Sequence, residues 1–192
     1  MRKSILILVL YSTLFSFEQI HITKLLEEDE CQNCDFREAN LSGLDLSGCE
    51  LQNSNFKNAN LSHTNFFMAD LEKSNFENAK LDGAVFWKAN LSGSNLSSIS
   101  AIKTNFKGAN LNNTIIKNSN FNSSISWKAN FKNAKIQNTD FTKSELGSAN
   151  FYNNDLRNSS LNSAILWKTI FHNTKLTKKQ YEYINIEEGI IK

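Results

Sequence analysis

Cys31 and Cys34 are the one pair in this 192-residue chain that could carry soft-ligand or redox chemistry by spacing alone. A CxxC pair points to a redox dithiol, half of a metal site, a disulfide or two buried thiols. Redox activity would want a helix N-terminus inside a βαβ unit, and neither is evident here. A four-ligand zinc site would want two more ligands nearby. The three histidines, His21, His63 and His172, are scattered without metal-ligand spacing. There is no P-loop, no Gly-rich phosphate turn and no G-x-S-x-G. The many Ser, Asp and Glu recur so regularly that a solvated face accounts for them. The chain is therefore expected to be non-enzymatic, with no catalytic residues, cofactor, metal or small-molecule substrate.

Those residues are set on a repeat. From Cys34 to Lys178 the chain repeats a small residue, a polar residue, Leu or Phe, then two mostly polar residues. The central positions run from Phe36 to Leu176 in steps of five, which makes 29 repeats. Five is neither the 3.6 period of a helix nor the alternation of a long strand. Ala39 and Leu41 lie two apart, as in a strand. The next inward residue, Leu44, lies three further on, so the chain must turn a corner. A short strand and a corner, repeated, wind a solenoid whose units bury their apolar side only by stacking.

Phe places the coil closure. Central Phe pairs fall seven times at a spacing of 20, six times at 10, once at 15 and never at 5. Twenty residues per coil, or four short strands, fits best. About seven coils at the strand spacing of about 4.8 Å would make a rod roughly 35 Å long. Asn before the central residue, as at Asn40, Asn55, Asn60, Asn65, Asn75 and Asn90, suits amide ladders between parallel coils.

Turns such as Ala39-Asn-Leu41, Ser54-Asn-Phe56 and Ala59-Asn-Leu61 resemble the pentapeptide repeat family, with its A(D/N)LXX motif. The likeness covers about three quarters of the chain. It implies an all-β fold, a right-handed quadrilateral parallel β-helix with the small residue and the Leu/Phe inward. Ala101 and Ser126 depart from the central Leu/Phe, and Leu44, Ile99 and Asn154 from the small residue. Packing is expected to be less regular there. Cys49 stands at an inward position and reads as core filler.

The ends differ from the repeat. Arg2 and Lys3 precede an apolar run from Ile5 to Phe17 that is too short to span a bilayer. Residues 1–16 are expected to be a signal peptide, although no A-x-A cleavage site is present. Residues 17–33 are expected to form a helical cap with Ile22, Leu25 and Leu26 on one face, and residues 179–192 a second cap. Thr177-Lys-Lys-Gln180 is a capping-box pattern, and Tyr181 and Ile184 are placed to cover the last coil. In an exported chain a disulfide between Cys31 and Cys34 would clamp the first coil. An apolar leader, a Leu-Leu helix and CxxC before the first repeat also resemble exported members of the family.

Two surface features stand out. Residues 17–82 carry 13 acidic and five basic residues, net −8, while residues 83–176 carry three acidic and 11 basic, net +8. The basic half could meet an anionic surface. Trp87, Trp127 and Trp167 each follow a central residue and should point outward on one face, with Val85, Ile125 and Ile165 beside them and Phe67 extending the row. Such a stripe suits a protein partner or self-association, or cover by the C-terminal segment. The favoured reading is an exported, periplasmic or secreted binding or scaffold module. The family supplies the alternative, a cytosolic DNA mimic that interacts with topoisomerase. The leader and the basic half disagree with that alternative, and nucleic acid is not the expected partner.

Overall fold

The computed structural model describes His21, Lys24, Leu25 and residues 30–191. The expected signal peptide over 1–16 lies outside the described residues, as do Ile22 and Leu26 of the expected first cap.

Each pentapeptide makes one side and one corner. At the corner the central carbonyl accepts the N–H three residues on, as from Ala39 N to Phe36 O at 3.2 Å. This requires a residue with positive φ just before the next small residue. Every fifth residue from Asn33 to Asn173 is left-handed, except Asn158; Asn fills ten of these corners and Gly five. Those are the residue types that enter this region at least expense. The Asn or Asp before the central residue pins the corner from the other side. Its Oδ1 accepts the N–H two residues on, as from Lys57 N to Asn55 at 3.1 Å.

Stacking then follows in one register. Residue n bridges residue n + 20 in parallel on every side, from Glu30↔Glu50 to Ile170↔Ile190. The coil is therefore 20 residues with four corners. On one side the bridges lengthen into two three-residue strands, β1 (Ile115–Lys117) and β2 (Lys135–Gln137), paired parallel with Ile116 opposite Ile136. The ladder starts at Glu30, so the first coil begins inside the 17–33 stretch expected to be a cap.

The interior is a set of columns. Phe36, Phe56 and Phe76 stack at 5.1 and 4.9 Å, Phe66, Phe86 and Phe106 at 4.8 and 5.1 Å, and Phe131, Phe151 and Phe171 at 4.7 and 5.6 Å. Adjacent columns meet edge to face, as Phe56 does with Phe66 at 6.1 Å. Most inward Ser and Thr bond the carbonyl 23 residues earlier, while Thr114 and Ser144 bond the carbonyl three residues earlier and Ser124 and Ser126 meet each other. Thr64 Oγ1 donates to Leu41 O at 2.8 Å and Thr104 Oγ1 to Leu81 O at 2.7 Å. Buried hydroxyls thus carry no desolvation penalty. Cys49 is buried.

Among the irregular positions, Leu44, Ile99, Ala101 and Ser126 leave the ladder intact. Ala101 and Ser126 are fully buried, so the small centre is accommodated without disturbing the coil. Asn154 alone coincides with a break, between Lys135 and Asp155.

The C-terminal helix α1 covers Lys178–Ile186 and not the whole of 179–192. Thr177 caps it reciprocally with Gln180, whose Nε2 also donates to Leu156 O and Ser159 O at 2.7 and 2.8 Å. Ile184 is fully buried, but Tyr181 is 50% exposed. Tyr183 takes the covering role instead, its hydroxyl donating to Ala164 O at 2.8 Å. Beyond α1 the chain returns to the ladder, where Ile190 adds a rung on Ile170.

Candidate interaction surface

Trp87, Trp127 and Trp167 occupy one side of the coil, in the position after the central residue. Trp87 is 39% and Trp167 42% exposed, while Trp127 is half-buried. Their side chains lean rather than stand at even spacing. Trp87 meets Phe67 with ring centroids 4.8 Å apart, and Trp127 meets Trp167 at 6.0 Å although two coils separate them. Gly147 makes the second contact possible, because a Cβ there would lie 2.7 Å from the Trp127 ring. The Trp127 indole N–H donates to Glu145 Oε2 at 3.0 Å.

The stripe is therefore two aromatic pairs. Lys107 occupies the same row between Trp87 and Trp127. In the neighbouring row Val85, Ile125 and Ile165 alternate with Asn105 and Glu145, each bridging the next. Ile165 is 48% exposed, so the apolar character concentrates around Trp167. Lys88 and Lys168 place their ammonium groups 5.4 and 4.2 Å from the rings of Trp87 and Trp167, adding charge to the same patch. The C-terminal segment meets the end of this side, where Lys168 N donates to Glu188 O at 3.1 Å. Its other contacts run from α1 to Leu156, Ser159 and Ala164, and from Ile190 to Thr169 and Phe171.

Around the patch the outward amides are engaged in ladders. Asn90 donates to Asp70 at 2.9 Å and accepts from Asn110 at 3.1 Å, and Asn110 accepts from Asn130 at 3.5 Å. At the corners Asn153 bonds Asn133 and Asn173 bonds Asn153, both at 2.9 Å. These bonds hold the coils together, as in stacked amides generally.

The chemistry-bearing residues stay apart. Cys31 and Cys34 are joined as a disulfide at the start of the first coil. His21 Nδ1 accepts from Asp35 N at 3.1 Å, and its ring meets Phe36 edge to face at 6.3 Å. Among the described residues no group of three or more His, Cys, Asp or Glu is placed to hold a metal ion, and no helix is long and apolar enough to cross a membrane. Two carboxyls, Asp35 and Asp155, are held below their ordinary value, chiefly by the side-chain bonds from Arg37 and Arg157. Burial raises Tyr183, with Glu187 adding to the effect.

Two family models match along this rod. The pentapeptide repeat region model matches residues 29–106, and the pentapeptide repeats (8 copies) model matches residues 89–125 and 129–167. The chain belongs to the pentapeptide repeat family. No curated protein matches it. Among solved structures, a pentapeptide repeat protein from the Arabidopsis thaliana thylakoid lumen is 23% identical, covering 78% of this chain and 76% of its own, with a TM-score of 0.40. QnrB1, a plasmid-mediated fluoroquinolone resistance protein, is 21% identical, covering 82% and 86%, with a TM-score of 0.39. HetL, involved in heterocyst differentiation regulation in the cyanobacterium Nostoc, is 18% identical, covering 75% and 87%, with a TM-score of 0.27.

The left-handed corners were missed by sequence reasoning, although Asn and Gly at every fifth residue (Asn33, Gly43, Gly48, Asn53, Asn58) carried the signal. Lys107 and Gly147, which divide the stripe and let the two tryptophans meet, were missed too.

Proposed function

We propose that this pentapeptide repeat protein is a non-enzymatic, exported binding or scaffold module, a rod of about seven right-handed coils closed by helices at both ends. It binds through the Trp side of its basic half. The observation that carries this reading is the exposed pair of Trp167 and Ile165, set against Trp127 on a rod whose outward amides are largely spent on holding coils together. Large aromatics with an aliphatic flank and nearby lysines suit a protein partner or a second copy of the chain.

Sedimentation velocity of the full chain beside Trp167→Ala and Trp87→Ala tests it, with far-UV circular dichroism to verify the rod. The expected result is association lost in the variants, with an unchanged spectrum. Equal sedimentation and equal partner capture by all three proteins would refute the surface.

Export is supported by the apolar leader and the Cys31–Cys34 disulfide. Intact mass with thiol alkylation tests it. A processed chain starting near Phe17 with two protected cysteines is expected. A full-length cytosolic chain with three free thiols would overturn export and make the topoisomerase alternative, through the acidic half, the first to assay by gyrase supercoiling.

A further inference from the structure

Between β2 and the coil that follows, the ladder is open. Lys135 does not bridge Asp155, although the same side is bridged below at Ile115↔Lys135 and above at Asp155↔Lys175. Three backbone bonds are missing with it. Below the gap, Lys135 N donates to Thr114 O at 2.8 Å and Asn118 N to Gln137 O at 2.9 Å. Above it, Leu156 N donates to Lys175 O at 2.9 Å. Across the gap, Asp155 N does not reach Ala134 O, Ile136 N does not reach Asp155 O, and Asn138 N does not reach Arg157 O.

Asn154 explains the opening. At the same position in other coils Ser54, Ser74, Ser94 and Thr174 each bond the carbonyl 23 residues earlier through a hydroxyl. The longer Asn154 side chain makes that bond, to Phe131 O at 3.1 Å, and also takes Ala134 O at 2.7 Å. Ala134 O is the acceptor that Asp155 N would use. Asn154 is 4% exposed, and its own Oδ1 has no hydrogen-bond partner, so the residue is held here against a desolvation penalty.

The result is a cavity of about 710 Å³ with a defined polarity. The gap leaves the N–H groups of Ile136, Asn138 and Asp155 without a hydrogen-bond partner among the described residues, together with the carbonyls of Asp155 and Arg157 and the Oδ1 of Asn154. Lys117, Lys135 and Lys175 line the opening. The one carboxylate present, Asp155, is neutralised by Arg157 at 2.9 and 2.6 Å. Ile136, Phe171 and Ile191 supply an apolar wall. Three lysines around unpaired backbone N–H groups, beside an apolar wall, suit an anion with an apolar body. We propose that this cleft is a binding site for small organic carboxylates, independent of the Trp side and of the function proposed for it.

The test is titration of the full, isotope-labelled chain with 3-phenylpropionate, reading backbone amide shifts. Its neutral twin 3-phenylpropionamide and inorganic phosphate serve as controls. Shifts centred on Ile136, Asn138 and Asp155 are expected, with the amide and phosphate each binding at least about fivefold more weakly. Asn154→Ser should close the ladder and abolish the response. Lys135→Gln, an exposed change that leaves the coil intact, should weaken it by about fivefold. No shift with the carboxylate, equal binding of the amide or of phosphate, or undiminished binding by Lys135→Gln or by folded Asn154→Ser would each overturn the proposal.

Discussion

Phe86 sits in the middle of a column, 4.8 Å from Phe66 and 5.1 Å from Phe106, with Phe76 edge-on at 6.1 Å and no exposed surface. Removing its ring takes away the burial of a large side chain. The neighbouring coils are tied above and below by ladders and cannot collapse freely into the space. A Phe→Ala change in such a setting costs about 3–5 kcal/mol. With a urea m-value of about 2 kcal/mol/M, Phe86→Ala should lower the unfolding midpoint by roughly 2 M. Leu stands at the equivalent place in other coils on this side, at Leu46, Leu146 and Leu166. Phe86→Leu should therefore cost only about 1 kcal/mol, or roughly 0.5 M. Unfolding of a solenoid need not be all-or-none, so the two variants are compared by fluorescence and circular dichroism together. An Ala variant within roughly 0.5 M of the wild type would refute the claim that the columns are a tightly packed core.

Other consequences can be measured in the same way. Asn90→Asp sets a second carboxylate against Asp70, where the amide now donates at 2.9 Å. It should cost about 1–3 kcal/mol at pH 7. The new carboxyl would titrate high in the fold, so part of that loss should return as the pH falls through the carboxylate range. A loss equal at pH 7 and pH 4 would show that the ladder is not electrostatic in this way. Asp155 is held low by Arg157, so its contribution is present above the ordinary carboxylate value and lost as the pH falls through its lowered one. Asp155→Asn should be slightly less stable than the wild type at pH 7 and converge with it as the pH falls through the lowered Asp155 value. Parallel midpoints down to acid would contradict this. The effect is small because both partners are substantially exposed.

The repeat was legible because its cause is local. Each corner needs the same few residues in the same order, and 29 copies leave one architecture. The choice of 20 over 10 rested on Phe, and the structure shows why: rings 20 apart lie in one column, while rings 10 apart, such as Phe56 and Phe66, meet edge-on across the coil. What lay between side chains was less legible. The Trp positions suggested a single stripe along one face. Lean brings Trp127 to 6.0 Å from Trp167, and leaves Lys107 between the pairs. Asn154 was visible as an irregularity beside Leu44 and Ile99. Only its extra hydrogen-bonding reach, against their apolar bulk, separates a broken ladder from an intact one. Ile190 was read as part of a helix, because a lone rung beyond α1 has no repeat of its own to announce it.

The 20-residue bridge register governs how a chain of this kind can change length. Val85-Phe-Trp-Lys-Ala, Ile125-Ser-Trp-Lys-Ala and Ile165-Leu-Trp-Lys-Thr recur at 40-residue intervals, two coils at a time. Growth by copying a two-coil block would keep every side in line and reproduce the aromatic pattern. Losing one pentapeptide would be nearly invisible to the core, since each corner is alike, yet it would swing everything downstream by a quarter-turn. Trp167 would then stand on a different side from Trp127, and the two halves of the surface would come apart without a single core contact being of the wrong type. Length in such a rod is thus inherited in whole coils, and surface identity is the quantity that polices the count.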